Sequence, residues 1–213
     1  MIKLLDGVPS GKLGLALSGG IDSMTFAHFL LQGRHEFAAF YFNHGTKHGD
    51  LAEEFVREWC GKNEVDLVTS HINDSDESKS AFGSVQEWYR KHRYQFFKRF
   101  GEYEIITCHH LDDVLETWLF STFHGKAKLI PYRHANCIRP FLLTTKKNIR
   151  QYAINHEVPW IEDESNASVE YMRNHIRHNI VPEVEIVNPG IRKHIDKLIL
   201  NMYSKYKVTS AES

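Results

Sequence analysis

The sequence predicts an α/β protein: a parallel β-sheet flanked by helices, with a small C-terminal helical extension. Three observations predict it. Short apolar runs alternate with amphipathic stretches of helical period through residue 123, the pattern of βαβ units. Two clusters of chemistry-bearing residues each follow a run that reads as a strand, and open parallel sheets bind ligands beyond the carboxyl ends of their strands. The chain of 213 residues is 42% hydrophobic and 25% charged, enough for one core of ordinary size.

The elements follow in order. "GLALS" (14–18) reads as a short buried strand, and residues 22–32 as a helix with Met24, Phe26, Ala27, Leu30 and Leu31 as its apolar positions. "FAAFYF" (37–42) is continuous and aromatic, which suits a central strand. "DLAEEFVREWCGK" (50–62) is an amphipathic helix, with Asp50 expected to cap it and Gly61 to stop it. "EVDLVTSHI" (64–72) reads as the third strand, and the polar stretch 73–83 as a mobile loop. Residues 84–100 form a second amphipathic helix, where Ser84 and Glu87 have the spacing of a capping box. "YEIITC" (103–108) is the fourth strand, followed by a helix over 110–123. Residues 124–140 read as irregular, with one edge strand near Cys137–Ile138. Helices are expected over 145–157, near 173–181 and over 190–206, and the tail "VTSAES" is expected to fray.

Composition excludes several classes. No apolar run approaches the ~20 residues of a membrane-spanning helix, and the first residues lack the apolar stretch of a signal peptide. Cys60, Cys108 and Cys137 are widely spaced with no C-x-x-C pair, which argues against a disulfide framework or a cysteine metal site and favours a reducing, cytoplasmic setting. The net charge of −1 gives no support to general nucleic-acid binding, although a local basic patch is compatible with it.

"SGGIDS" (18–23) closes the first strand and opens the first helix. A helix N-terminus offers unpaired N–H groups and a positive dipole end to phosphate. Gly19 and Gly20 allow close backbone approach, and Ser18 and Ser23 supply hydroxyls. Asp22 suits a magnesium ion bridging phosphates rather than a phosphate itself. The spacing is neither that of a Walker loop nor G-x-G-x-x-G. The plainer alternative is a capped tight turn.

"HHLDDVLET" (109–117) lies after the fourth strand. Helical spacing places His109, Asp112, Asp113 and Glu116 on one face, with Leu111, Val114, Leu115 and Trp118 on the other. Such a face can hold a metal, receive a cationic substrate or move protons. The alternative is a solvated helix start, where carboxylates are favoured by the dipole.

"SGGIDS" resembles the SGGxDS loop of the PP-loop ATP pyrophosphatases. That family cleaves ATP between its α and β phosphates, transfers AMP to a carbonyl oxygen and lets a nucleophile displace it. "HHLDDVLET", "NHG" (43–45), "SVQEWYRKHRY" (84–94) and "PWIEDESNASVEYMRNHIRHNIVPEVEIVNP" (159–189) are together similar to segments of the tRNA(Ile)-lysidine synthetase family, from about residue 13 to 190. The resemblance implies a Rossmann-like fold of the PP-loop type over residues 1–190, with residues 191–213 as a C-terminal helix and tail. It implies a ligase that adenylates O2 of the wobble cytidine in a CAU-anticodon isoleucine tRNA. The ε-amine of free L-lysine then attacks C2, and AMP leaves. ATP and Mg2+ are the implied cofactors.

The resemblance also implies roles. Ser18, Gly19, Gly20 and Ser23 would hold the ATP phosphates, and Asp22 would support magnesium. His109, Asp113 and Glu116 would set the electrostatics of the reacting centre and receive lysine, with Asp112 orienting them. Arg93, Arg173 and Arg177 would contact phosphate or adenylate, since a planar fork suits phosphate. Asn174 would fix a backbone group or a base edge. Plainer alternatives stand beside these: Arg93 in a surface ion pair, Asn174 as a helix cap, Trp160 and Tyr171 in the core, and His44 and His110 as satisfied structural histidines.

The chain departs from the family pattern in "STFHGKAKLIPYRHANCIRP" (121–140), where a glycine-rich loop is expected. Lys126, Lys128 and Arg133 make this segment basic, and Tyr132 could stack on a base; the alternative is an ordinary surface loop. The resemblance further implies a short form without the C-terminal tRNA-binding domains of many relatives. The chain would then bind a smaller RNA element, act on another carbonyl or need a partner, and a homodimer could supply the missing surface. Competing readings are another PP-loop reaction on RNA or a small carbonyl substrate, and a nucleotide-binding module without catalysis. Of the former, tRNA thiolation is opposed by the lack of C-x-x-C pairs.

Overall fold

The computed structural model describes residues 1–72, 84–162 and 172–211. Its centre is a six-stranded sheet built from β1 (Leu13–Ala16), β2 (Ala38–Asn43), β3 (Leu67–His71), β4 (Glu104–Ile106), β5 (Arg133–His134) and β6 (Cys137–Ile138). The order is β3-β2-β1-β4-β6-β5, and every neighbouring pair is parallel except β5 with β6. The strand pair Cys137–Ile138 is therefore not the edge expected for it. Ile105 and Ile106 of β4 register with Cys137 and Ile138, and the two-residue β5 forms the edge instead.

The helices are α1 (Ile21–Gln32), α2 (Lys47–Lys62), α3 (Val85–Lys98), α4 (Leu111–Phe123), α5 (Lys146–Asn155), α6 (Met172–His175), α7 (Val181–Val187) and α8 (Ile191–Ala211). A 3-10 turn spans Pro140–Leu143, and a π-helical stretch, Ile176–Ile180, joins α6 to α7. Alternation along the strands splits the core into two layers. Leu13, Leu15, Ala39, Tyr41, Ile106 and Ile138 face the larger one, which also takes apolar residues from α1, α2, α4, α5 and α8. Ala38, Phe40, Ile105 and Cys137 face a smaller layer closed by Phe96 and Phe97 of α3. Gly14 sits under Phe40, whose ring would lie 2.7 Å from a Cβ there.

Several boundaries differ from the sequence expectations. Helix α2 starts three residues earlier than Asp50, because the Thr46 hydroxyl accepts the Gly49 N–H and caps it. Its C-cap is Asn63, not Gly61. Ser84 caps α3 as expected, accepting the Glu87 N–H at 3.1 Å. Helix α8 continues through the expected frayed tail to Ala211. The expected loop 73–83 and Tyr171 lie outside the described residues. Among those described, no helix is long and apolar enough to cross a membrane.

Candidate active site

The N-terminal ends of α1, α4 and α5 meet beyond the carboxyl ends of β1 and β4. Gly19 turns the chain with φ +80°, a conformation that favours glycine, and its carbonyl accepts the Ile161 N–H at 3.0 Å. A Cβ on Gly19 would sit 3.1 Å from Ile161 Cγ2. The buried Ser23 hydroxyl donates to the Gly20 carbonyl at 3.0 Å and accepts the Ser18 N–H at 3.1 Å. Its proton is thus committed inside the loop, and the exposed Ser18 hydroxyl, 3.1 Å away, is the donor between the two. Gly20 is the N-cap of α1 and has no side chain with which to cap it, which leaves the first-turn N–H groups without an N-cap acceptor. This arrangement fits an anion such as the ATP polyphosphate.

Asp22, in the first turn of α1, takes the Lys146 ammonium on both carboxylate oxygens, at 2.6 and 2.7 Å. His110 is the N-cap of α4 and forms a reciprocal capping box with Asp113: its N–H donates to Asp113 Oδ2 at 2.9 Å, and its Nδ1 accepts the Asp113 N–H at 3.4 Å. An accepting Nδ1 leaves the ring proton on Nε2, which faces Asp22 Oδ1 at 3.7 Å. The structural reading of His110 therefore describes its contacts. That of His44 does not, because His44 Nδ1 is buried without a hydrogen-bond partner among the described residues.

The expected common face of His109, Asp112, Asp113 and Glu116 does not form. Helix α4 begins at Leu111, so His109 precedes it and approaches Thr107 Oγ1 through Nδ1 at 3.2 Å. Asp112 points elsewhere, accepting the Lys146 N–H at 2.7 Å and Arg192 Nη1 at 2.6 Å. Asp113 and Glu116 stay together: Arg177 Nε and Nη2 grip Glu116 at 2.6 and 3.0 Å, and Nη2 lies 3.7 Å from Asp113.

Electrostatics separate these groups. Burial pushes the His109 imidazole down to about 3, helped by Arg139, Arg93 and Arg90 and opposed by Asp113, so it is neutral near pH 7. Burial raises Glu116 above the usual carboxylate range even against its bond to Arg177. Burial also works to raise Asp113, but His110, His109, the His110 N–H and Arg177 outweigh it and hold the carboxyl low. Burial, with Asp22 and Asp113 close by, raises the Cys108 thiol well above its ordinary value, so it is not a thiolate.

The other expected residues scatter. Arg93 lies beside His44 and His109 and depresses both, and is itself lowered by burial and by Arg90. Arg173 is exposed, while Asn174 is buried. Arg173 lies in α6 and Arg177 in the π stretch that follows it, and Arg177 is the one of the two that is partly buried. Lys126 is exposed, and Arg133 pairs with Glu104 at the opposite, amino end of β4. Tyr132 is not a free stacking surface: it is buried against Tyr203, with burial pushing its hydroxyl up to about 12. Trp160 is only partly buried and donates to Glu162.

Sequence reasoning missed Lys146, Arg192 and Arg139. Arg139 is 1% exposed, and it donates to the Pro131 carbonyl at 2.7 Å and to the Tyr94 hydroxyl at 3.0 Å. Lys146 had a signal: it opens a helix after the sheet, with Thr145 as a cap, so its place at the ligand edge follows from topology. Among the described residues no group of three or more His, Cys, Asp or Glu is placed to hold a metal. A single carboxylate such as Asp22, completed by phosphate oxygens and water, suits magnesium.

The chain is 31% identical to a tRNA(Ile)-lysidine synthase from Exiguobacterium sibiricum over 194 residues, covering 86% of this chain and 46% of that protein. It is 32% identical to the tRNA(Ile)-lysidine synthase of Thermotoga maritima over 198 residues, covering 87% and 48% respectively. The chain thus spans about half the length of the curated relatives it matches. An NH3-dependent NAD synthetase from Campylobacter jejuni shares the fold, with a TM-score of 0.51 at 11% identity, over 93% of this chain and 88% of that one. Residues 1–184 match the PP-loop domain family, and on that match, with "SGGIDS" seated at the opening of α1, the chain belongs to the PP-loop family.

Proposed function

We propose that this chain is an ATP-dependent tRNA-modifying ligase that attaches lysine to a wobble cytidine, as the names of its relatives suggest. The observation that carries the reading is the distance-limited grouping at one sheet edge. The open N-terminus of α1 and Asp22 lie beside the Asp113–Glu116–Arg177 cluster, connected through His110. One side suits a polyphosphate and the other a cationic amine.

In the proposed reaction, the cytosine O2 attacks the α phosphorus of ATP and the α–β bridge breaks, releasing pyrophosphate. The neutral ε-amine of lysine then forms a bond to C2, the C2–O2 bond breaks, and AMP leaves with that oxygen. Bound Mg2+ would supply charge neutralisation of the leaving pyrophosphate. The N–H groups of α1 stabilise the same charge from the protein side. Asp113, held ionised, receives the lysine ammonium, and Asp113 or Glu116 accepts the proton the amine must lose. Arg177 holds Glu116 in place, and Arg93 and Arg139 lend positive charge on the α3 side. His109, neutral, contributes hydrogen bonding rather than charge. Residues 1–190 carry this machinery in our reading, and 191–213 brace it through Arg192.

The test is pyrophosphate release from ATP with magnesium, a CAU-anticodon tRNA and free lysine, omitting each in turn. Release that needs RNA and ATP, with labelled lysine entering the RNA, is the expected result. Asp22→Ala is expected to abolish release while circular dichroism stays unchanged. RNA-dependent release without lysine entry would point to another nucleophile. ATP binding without release would favour a nucleotide-binding module. Sizing the same mixture reads whether two copies hold one RNA.

A further inference from the structure

Lys146 stands where a cation is least favoured by its own helix. It is the first residue of α5, at the positive end of the dipole. Its main chain is fixed: the N–H donates to Asp112 Oδ2 at 2.7 Å, Asp112 Oδ1 takes Arg192 Nη1 at 2.6 Å, and Arg192 Nε is held by Glu185 at 2.5 Å. The side chain reaches across to α1 and places its ammonium on both oxygens of Asp22. The pair is solvent-accessible, with side-chain exposures of 41% for Lys146 and 30% for Asp22. A pair this exposed contributes little to stability. A fixed root with a weakly held tip describes an ammonium that can leave its partner without moving the helix.

We propose that Lys146 is a displaceable counter-cation for Asp22. Before nucleotide arrives, its ammonium occupies that carboxylate and withholds it from a divalent metal alone. When ATP and metal arrive together, the ammonium passes to the polyphosphate, the nearest new anion at the α1 N-terminus. The exchange leaves neither group unmatched: Asp22 trades the ammonium for a divalent cation, and the ammonium trades a carboxylate for a phosphate. Metal and nucleotide thereby bind in concert, because each supplies the partner that the other's arrival would leave unmatched. This rests on the reading of Asp22 as the metal-facing carboxylate.

The experiment titrates the chain with Mn2+, reading free Mn2+ by electron paramagnetic resonance, without nucleotide and with a non-hydrolysable ATP analogue. Without nucleotide, Lys146→Met is expected to bind Mn2+ about fivefold more tightly than the unmodified chain, and Lys146→Arg to match it. With the analogue, Lys146→Met is expected to bind nucleotide about fivefold more weakly. Equal Mn2+ affinity of Lys146→Met and the unmodified chain without nucleotide overturns the proposal, as does undiminished analogue binding. Asp22→Asn separates the two readings. If it binds Mn2+ with the analogue as well as the unmodified chain does, the metal reading of Asp22 and the lysine proposal both fall. If it binds less well while Lys146→Met changes nothing, only the lysine proposal falls. Should Lys146→Met lose its circular dichroism spectrum, Lys146→Gln gives the same readings.

Discussion

Gly19 shows how one residue fixes the loop. Its φ of +80° and the 3.1 Å approach of Ile161 Cγ2 to where a Cβ would sit make any side chain there strained and crowded. Gly19→Ala is expected to cost about 1–2 kcal/mol in urea denaturation and to weaken ATP binding, because the turn must shift to relieve both strains. His44 and His109 act through protons instead. Burial lowers them from 6.5 to about 4 and about 3. In the folded chain they stay neutral where the unfolded chain binds protons. Stability is therefore full above pH 6.5 and falls as pH drops toward 4, by at most about 1.4 kcal/mol per pH unit for each imidazole. His44→Gln and His109→Gln are each expected to flatten that acid-side fall in denaturation curves recorded from pH 7 to 4.5. An unchanged slope would remove the buried imidazoles as its cause.

At the scale of elements, the helix run from Met172 to Val187 decides which arginine reaches the site. Pro182 has no N–H to offer the His178 carbonyl, and just before it Val181 N–H bonds the Ile176 carbonyl five residues back. The wider turn sends Arg177 to Glu116, while Arg173, one turn earlier, remains exposed. Glu116 is 5% exposed, so removing its partner leaves a buried carboxyl. Arg177→Met is expected to destabilise the chain by about 2 kcal/mol, discounted from a fully buried pair because Arg177 is partly exposed. Adding Glu116→Gln should restore most of that stability but not pyrophosphate release. Full additivity of the two changes in a double-mutant cycle would show that the pair does not interact.

The larger of the two core layers takes in both α4 and α8. Ile195 and Ile199 of α8 are fully buried in the same cluster as Leu115 and Leu119 of α4. Ile199→Ala is expected to cost about 3 kcal/mol, with one cooperative unfolding transition for the chain. A separate early transition confined to α8 would make 191–213 an independent unit.

What the sequence determined by itself was local and topological. Apolar runs bounded by turn residues marked β1 to β4, and 3.6-residue periodicity marked α1 to α5, because burial of one face is written directly into spacing. "SGGIDS" after one strand and "HHLDD" after another marked two segments that the fold brings to one sheet edge, since strand ends in a parallel sheet share that edge. The tertiary structure decided what spacing cannot carry. Cys137–Ile138 became an interior strand because it pairs with β4, 32 residues back in register, on one side and with β5 on the other. His110 took the cap that placed His109 outside the helix, a choice settled by Asp113 and Asp22 together. Asp112 was drawn off the expected acidic face by Lys146 and Arg192, 34 and 80 residues along the chain. Such contacts depend on where distant elements dock, and side-chain charge finds its partner only after the core has set that docking.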